Sequence, residues 1–226
     1  MIKLEHTVLP SANQMQFVIE GMRNPMNSWD KSDSVKCYAN EKCQGICNEN
    51  KIGLCVGDND RHLMQKLSYA GTDHRKFMRM MPVYVRITAP LYWWKEADTY
   101  KIGTVANSCS TMHKIQEKEF TMNDFSIEHL DDDRSAEVSN VEWLEHLIHH
   151  LNRDRRRFIE TKDKQYWWQM IQLLPSSYNQ TRNVMLNYEV LSNMYHSRKN
   201  HKLDEWREFC KWIENLPYAE LIIRRE

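Results

Sequence analysis

The chain has 226 residues and a mass of 27.2 kDa, with 41% apolar and 27% charged residues. That is enough to bury one core or two small ones, which excludes a peptide hormone and a disordered tail. Its 31 basic residues cancel its 31 acidic ones, so it lacks the overall positive field that holds a nucleic-acid backbone, and we expect no nucleic-acid polymer as a partner. No stretch approaches the roughly 20 apolar residues of a membrane helix, and the N-terminus lacks the apolar core of a signal peptide. We therefore expect a cytoplasmic protein without a membrane partner.

The first part of the chain combines short regular elements with one long polar segment. Residues 2–8 alternate apolar and polar side chains as a half-buried strand does, and Pro10-Ser11 precedes a predicted helix over 15–22. Residues 24–60 show no periodicity that indicates a strand or a helix, and we interpret them as a long functional insert or loop. Asp60 then offers an N-cap to a helix that Gly71 ends.

The clearest strand of the sequence opens the remainder, which then becomes helical. Residues 83–88 alternate strictly, with Val83, Val85 and Ile87 on one side. A helix-like stretch over 91–100 follows Ala89-Pro90. Further helices are predicted over 141–160, 163–174, 177–199 and 203–215.

A cluster of cysteines lies in the polar insert. Four of them fall inside a 19-residue window with the spacing C-x5-C-x3-C-x7-C, at Cys37, Cys43, Cys47 and Cys55. Four thiols this close can hold a tetrahedral zinc ion and order the insert. The paired C-x2-C arrangement of zinc sites is missing, so separate reduced cysteines packed under a loop are the alternative.

Two clusters of titratable side chains also invite a functional interpretation. The first comprises His146, His149 and His150 with Glu142 and Glu145. Because leucines define the opposite, buried face of that helix, we interpret these histidines as a solvated or subunit-contact face rather than a metal site.

The second cluster comprises His74, Arg75, Lys76, Arg79 and Arg86, with no acidic residue between 74 and 86. It suits a phosphate-bearing small molecule, or equally a surface paired to acids elsewhere.

Residues 107–113 concentrate small polar side chains. The run Asn-Ser-Cys-Ser-Thr-Met-His contains hydroxyl donors of the kind that wrap a phosphate, and its composition is equally typical of a turn. The sequence has no G-x-G-x-x-G motif, no Walker loop and no G-x-S-x-G elbow, which argues against a Rossmann enzyme, a P-loop enzyme and a hydrolase with that elbow.

The order of these segments resembles the flavin-dependent thymidylate synthases (ThyX). In that family an alternating strand and an Ala-Pro helix start precede the signature R-H-R-x-x-S-x-N-E-x-S-x-R, which contacts flavin and nucleotide. Residues 83–88 and Ala89-Pro90 resemble the strand and the helix start. The signature itself has changed. Its three leading positions are Thr99, Tyr100 and Lys101, and its later positions include Thr104, Ala106, Asn107, Cys109 and Thr111.

The C-terminal half preserves the family pattern better. The family has a Leu-Pro, an Asn twelve residues after the Pro and an Arg eleven residues after that Asn, and Leu174-Pro175, Asn187 and Arg198 reproduce this spacing. Asn193 stands where a second family Asn lies near the flavin. Glu189 and Ile171 depart from the family, which usually has Arg at both positions.

The resemblance implies a fold and a reaction. We expect one α+β domain over residues 1–226, with an antiparallel sheet flanked by helices, a long helical C-terminal half, and a cysteine-bearing insert at about 30–58. The family's reaction is the reductive methylation of dUMP with methylenetetrahydrofolate and reduced FAD, with NADPH as a further co-substrate, in a homotetramer. A catalytically altered or inactive nucleotide- or flavin-binding protein, and a metal-ordered interaction protein, are the alternatives.

The resemblance also implies roles for individual residues. Arg198 is the expected catalytic residue, since an Arg bonded to the uracil oxygen stabilises negative charge that develops on the ring. The expected cofactor ligands are His74, Tyr100, Lys101, Thr104, Asn187 and Asn193. The expected substrate ligands are Glu96, Ser108, Cys109, Ser110 and Arg198.

Overall fold

A computed structural model describes residues 1–37, 53–133 and 137–223 of the chain. In these ranges the strands are β1 (Lys3–Val8), β2 (Val35–Lys36), β3 (Leu54–Cys55), β4 (Pro82–Pro90), β5 (Val105–Ser108) and β6 (Asn179–Asn187). The α-helices are α1 (Ala12–Arg23), α2 (Asp58–Tyr69), α3 (Leu91–Ala97), α4 (Asn140–Thr161), α5 (Lys164–Leu173), α6 (Tyr188–Arg198) and α7 (Asp204–Glu214). Among them, none is long and apolar enough to cross a bilayer.

The strands form two sheets. A four-stranded antiparallel sheet has the order β1-β4-β6-β5, which confirms the predicted α+β class. Strand β4 shows the predicted alternation, because Val83, Val85 and Ile87 are at most 2% exposed whereas Tyr84 is 47% exposed. The small second sheet pairs β2 with β3 in antiparallel register, Val35 opposite Cys55 and Lys36 opposite Leu54.

The described chain divides into two compact units. The first comprises Met1–Lys3, Ile87–Thr99 and Asn107–Arg182, and the second comprises Leu4–Arg86, Tyr100–Ala106 and Asn183–Glu226. A core of the first unit is built from the buried residues Ile115, Phe120, Phe125, Leu144, Leu151 and Met170. The largest fully buried side chains of the second unit include Trp206, Tyr188, Phe209, Met15 and Met64.

Helix starts follow the expected capping chemistry. At α1 the Ser11 hydroxyl accepts from the Gln14 N–H, and the Gln14 side chain accepts from the Ser11 N–H. Ser139 and Glu142 form the same reciprocal box at α4. Each box satisfies two N–H groups that a helix start otherwise leaves without an acceptor. On α4 the three histidines at 146, 149 and 150 are exposed while Leu144 and Leu151 are buried, as predicted.

The prediction of one helix over 177–199 is wrong in its first half. Residues 179–187 form β6, and the helix begins only at Tyr188. Gln180, Val184 and Leu186 are buried while Asn183 is exposed, so this segment has the period of a strand. Asn187 ends the strand and caps the helix that follows, because its side chain accepts from the Val190 N–H at 3.0 Å.

The other corrections concern residues 24–60 and 107–113. Asp60 does not cap α2, which begins at Asp58 after Gly57. Its carboxylate is buried and accepts instead from Arg23, Ser32 and Ser34. The segment interpreted as a loop contains β2 and β3, and part of the hydroxyl-rich segment belongs to β5. Cys43 and Cys47 lie outside the described residues.

Candidate functional site

The residues that the sequence assigns to a flavin and nucleotide site belong to both units. Those of the second unit are His74, Tyr100, Lys101, Thr104, Asn187, Asn193 and Arg198, and those of the first unit are Glu96, Ser108, Cys109 and Ser110.

Arg198 lies at the C-terminal end of α6 against two aromatic rings. Its Nε donates to the Tyr100 hydroxyl at 3.1 Å. Its guanidinium carbon lies 4.9 Å from the centre of the Trp206 ring and 5.7 Å from that of Tyr100. The two rings meet edge to face, with centroids 6.1 Å apart. A guanidinium held over two rings loses little side-chain freedom on meeting a ligand.

The loop that carries Tyr100 is fastened by its own side chains and by Asn187. The Thr104 hydroxyl donates to the carbonyl of Tyr100 at 2.7 Å, and Nδ2 of Asn187 donates to the carbonyl of Gly103 at 3.3 Å. Gly103 has φ +80°, and an added Cβ would lie 2.6 Å from Nδ2 of Asn187. The Asn187 amide therefore uses its oxygen on α6 and its nitrogen on this loop, which gives it a structural role beside the expected cofactor role.

Asn193 belongs to a charged network around Glu189. Nη2 of Arg75 donates to Oδ1 of Asn193 at 2.9 Å, and Nε of Arg75 lies 3.5 Å from the Glu189 carboxylate. Arg79 donates to the same carboxylate from Nε and, at 3.2 Å, from Nη2. The hydrogen bond to Glu189 raises the pKa of Arg79. Arg75 and Arg79 are thus paired to an acid, which favours the surface interpretation of the cationic cluster for these two residues.

The remaining members of the cationic cluster differ in exposure. His74 and Lys76 are exposed and Arg86 is half-buried. Glu189 stands where the family usually has Arg, and its carboxylate pairs with both Arg75 and Arg79.

In the first unit, the hydroxyl-rich segment continues from β5 into a turn. Ser108 and Ser110 are both exposed. The Ser110 hydroxyl accepts from the N–H groups of Met112 and His113, at 3.3 and 2.9 Å, so the turn interpretation fits Ser110. Cys109 is exposed, and its backbone N–H donates to the Thr181 carbonyl at 2.9 Å. These residues lie at a strand end, where their side chains face solvent.

Glu96 and the end of α3 are linked to the segment that follows. The Glu96 carbonyl accepts from the Thr99 hydroxyl at 2.7 Å, and the Glu96 side chain is half-buried. This bond ends α3 and positions Thr99, the first residue of the altered signature.

Arg182 is a functional candidate that the sequence does not reveal. Its guanidinium carbon lies 4.1 Å from the centre of the Trp94 ring, Nη1 donates to Asp98 at 2.6 Å, and Nε donates to the Gln180 side chain at 2.9 Å. The prediction of a helix over 177–199 hid it, because only the strand period places Gln180 and Arg182 on neighbouring positions of one face. The side chain is 15% exposed.

The four-cysteine zinc site stays a prediction. Cys37 and Cys55 are half-buried, and Cys55 is disulfide-bonded. A sulfur in a disulfide is not a thiolate ligand, so such a site would require a reduced protein. Within the described ranges, no three His, Cys, Asp or Glu side chains gather as a metal site would need.

Three further residues of the second unit have the donor or apolar character that a flavin site needs. Lys101 offers an exposed cation, and the adjoining Ile102 offers an apolar surface that is 91% exposed. Asn193 is exposed, and since Arg75 occupies its oxygen, its amide nitrogen is the group it can offer to a ligand. These are the cation, apolar contact and amide donor that a phosphate-bearing ring system requires.

Comparison with known proteins identifies a family and a fold. A model of the T5orf172 domain matches residues 83–214. Two crystal structures of the flavin-dependent thymidylate synthase ThyX from Helicobacter pylori, both with FAD and dUMP, are similar with TM-scores of 0.64 and 0.63 at 16% and 17% identity. The similarity covers 98% and 97% of this chain, and 97% and 94% of those chains.

A third structure extends this likeness. The UMP/dUMP methylase PolB from Streptomyces cacaoi, bound with 5-Br UMP, has a TM-score of 0.60 at 12% identity, covering 97% of this chain and 92% of its own. At these identities the likeness shows the fold, and the chain therefore has a ThyX-like fold. No curated protein sequence matches significantly.

Proposed function

The chain belongs to the T5orf172 domain family and has a ThyX-like fold, and from this fold and its Arg198 site we propose that it binds FAD and a uridine nucleotide. We propose further that it catalyses the reductive methylation of dUMP, or of a related pyrimidine nucleotide. Methylenetetrahydrofolate and NADPH are the proposed co-substrates, and a cytoplasmic homotetramer is the proposed assembly. The fold neighbours that contain FAD, dUMP or 5-Br UMP support the ligand classes.

The placement of Arg198 carries the proposal. It has the family spacing from Leu174-Pro175 and Asn187. Tyr100 and Trp206 hold its guanidinium through one hydrogen bond and two ring contacts. A planar guanidinium can donate two parallel hydrogen bonds, so it suits a pyrimidine carbonyl or a phosphate better than a lysine would.

The chain's own residues bind and polarise the substrate in this scheme. Arg198 would donate to a carbonyl oxygen of the pyrimidine and stabilise the negative charge that develops there. Lys101 and Asn193 would hold the cofactor by charge and by amide hydrogen bonding. The flavin, when bound, supplies the hydride chemistry that no protein side chain provides.

Tyr100 has a specific part in this proposal. It stands in place of the family's central signature residue, and in the structure its hydroxyl accepts from Arg198. We infer that the altered signature positions Arg198 instead of contributing a second cation. Lys101 then remains the cation of the three signature positions.

Substitution of Arg198 tests the proposal. Arg198→Lys keeps the charge but loses the planar fork, and we expect dUMP affinity to fall by about tenfold or more. Arg207→Lys is the matched control, because Arg207 is an exposed arginine of the same unit that pairs with Asp204. Isothermal titration of dUMP into the FAD-loaded protein measures both. Equal affinity in the two variants would remove Arg198 from the nucleotide site.

A second candidate function is nucleotide or flavin binding without turnover. The Glu189 network favours it, because an acid that binds Arg75 and Arg79 occupies the position of a family Arg. Thermal unfolding with FAD and dUMP, followed by an assay for dTMP with NADPH and methylenetetrahydrofolate, distinguishes the two functions. Stabilisation together with dTMP formation supports the enzyme, and stabilisation without dTMP supports the binding protein.

A further inference from the structure

A cavity of about 420 Å³ in the second unit is lined by none of the residues assigned to the flavin and nucleotide. Its walls come from one face of α1 and from the segment after it. The lining residues are Gln16, Ile19, Glu20, Arg23, Trp29, Ser32 and Ser34. This volume lies within the range of small-molecule sites, about 300 to 1,000 Å³. We call it the α1 cavity.

The floor of the α1 cavity is held by a buried ion pair. Nε of Arg23 donates to Asp60 at 2.6 Å, and both side chains are at most 4% exposed. The other Arg23 nitrogens donate to the carbonyls of Ser28 and Lys31, each at 3.1 Å. The guanidinium therefore has its charge balanced and most of its donors in use, so it shapes the cavity and does not attract an anion into it.

The hydroxyls of two further lining residues also take part in hydrogen bonds. Ser32 and Ser34 both donate to the second oxygen of Asp60, at 2.7 and 2.6 Å. The Ser34 oxygen also accepts from the Gly57 N–H at 3.2 Å, so Ser32 has the less occupied acceptor oxygen of the two. Because the segment 28–34 is bound to α1 and α2 through this carboxylate, the wall exists before any ligand arrives.

Glu20 gives the α1 cavity its negative character. It is an exposed carboxylate one turn before the C-terminal end of α1, where the backbone carbonyls add partial negative charge. Of the charged lining residues, Arg23 is neutralised by Asp60, so Glu20 leaves the lining with a net negative charge.

Trp29 gives the α1 cavity an aromatic wall. Its indole Nε1 donates to Oδ1 of Asn24 at 2.7 Å, which fixes the ring, and the side chain remains 49% exposed. An exposed ring and a carboxylate that line the same cavity are a combination suited to organic cations, because the ring face attracts positive charge and the carboxylate pairs with it.

From these features we propose that the α1 cavity binds a guanidinium or ammonium group, carried either by a small amine or by an arginine side chain of a peptide. The cation lies over Trp29 and pairs with Glu20, while Gln16 and the Ser32 oxygen accept its N–H groups. The proposal is independent of the flavin and nucleotide site.

Isothermal titration with two probes tests this proposal and separates the two sources. The probes are agmatine and the blocked tripeptide acetyl-Gly-Arg-Gly-amide. We expect saturable binding of at least one probe, weakened by about tenfold or more in Glu20→Gln and in Trp29→Leu, because each change removes one of the two attractions. Tighter binding of agmatine indicates a free amine, and tighter binding of the tripeptide indicates a peptide.

Matched controls keep the outcome interpretable. Glu5→Gln and Trp143→Leu change an exposed carboxylate and an exposed tryptophan outside the cavity, and both should bind like the unmodified protein. Thermal unfolding checks that the two cavity variants and the two control variants are folded. A fifth variant, Trp29→Phe, keeps an aromatic face and should retain part of the affinity. Absence of saturable binding by the unmodified protein, or equal affinity in all four variants, would overturn the proposal.

Discussion

Asp60 shows how a single buried carboxylate can order a segment that its sequence leaves irregular. Both of its oxygens accept hydrogen bonds, from Arg23 on one side and from Ser32, Ser34 and the N–H of Asp33 on the other. Local sequence pattern predicts Asp60 to be a helix cap because such a pattern includes only neighbours along the chain. Its real partners lie 26 to 37 residues away, which local pattern cannot show.

Removal of this charge should destabilise the protein. In Asp60→Asn the Arg23 guanidinium stays buried without its counter-charge, and we expect a loss of about 3 to 5 kcal/mol in the free energy of unfolding. Urea denaturation measures it. Asp30→Asn, an exposed aspartate of the same segment, is the control and should change the free energy by less than about 0.5 kcal/mol.

The same carboxylate makes stability depend on pH. Burial alone would raise the pKa of Asp60. The hydrogen bonds from Ser34, Ser32 and Arg23, together with the Arg23 charge, outweigh burial, so the pKa of Asp60 lies below its ordinary value. A group with a lowered folded-state pKa stabilises the fold above its unfolded pKa of about 3.9, and this contribution is lost as the pH falls through the folded-state pKa. The unfolding free energy of Asp60→Asn should therefore fall less steeply below about pH 4 than that of the unmodified protein.

Substitution by alanine should change the stability of the protein in opposite directions at Gly103 and at Gly21. Gly103 has φ +80°, and its added Cβ would meet Asn187, whereas in Gly21 the nearest atom is the flexible Met80 sulfur at 3.7 Å. Gly103→Ala should destabilise the protein by about 1 to 3 kcal/mol, and Gly21→Ala inside α1 should stabilise it by about 0.5 to 1 kcal/mol. Thermal unfolding measures both. Stabilisation by Gly103→Ala would contradict the described loop.

At the scale of elements, strand β4 is predictable from sequence and strand β6 is not. Strict alternation marks β4, because every second side chain enters the core. In β6 the polar run from Asn179 to Asn183 masks the alternation, and the strand passes into α6 without Gly or Pro. Because no turn residue separates β6 from α6, the sequence predicts one continuous helix. That prediction does not place Arg182 on a strand beside Gln180.

The contact between α6 and the short 3-10 helix Arg75–Met80 should depend on Glu189. Glu189→Gln leaves Arg75 and Arg79 without their carboxylate, and we expect a loss of about 1 to 3 kcal/mol in the free energy of unfolding. Glu208→Gln is the control, because Glu208 is an exposed carboxylate paired only one turn away with Lys211. Urea denaturation compares the two. An equal effect in both variants would show that the Glu189 network adds nothing to stability.

At the scale of the whole molecule, the antiparallel α+β fold is confirmed, and it could be predicted because long-range order of segments survives when signature residues change. The site is predictable only in part. Arg198 follows from its spacing, but Tyr100 and Trp206 lie 106 positions apart, and only folding brings them together around it. The flavin and nucleotide ligands therefore stay predictions.

The visible absorption spectrum of the purified protein, before and after addition of FAD and then dUMP, tests the proposed function most directly. We predict a bound flavin band at about 450 nm that shifts when dUMP is added, because the proposed nucleotide site adjoins the flavin. A protein that remains colourless and gives no spectral change with FAD would contradict the proposal that this ThyX-like fold is a flavoprotein.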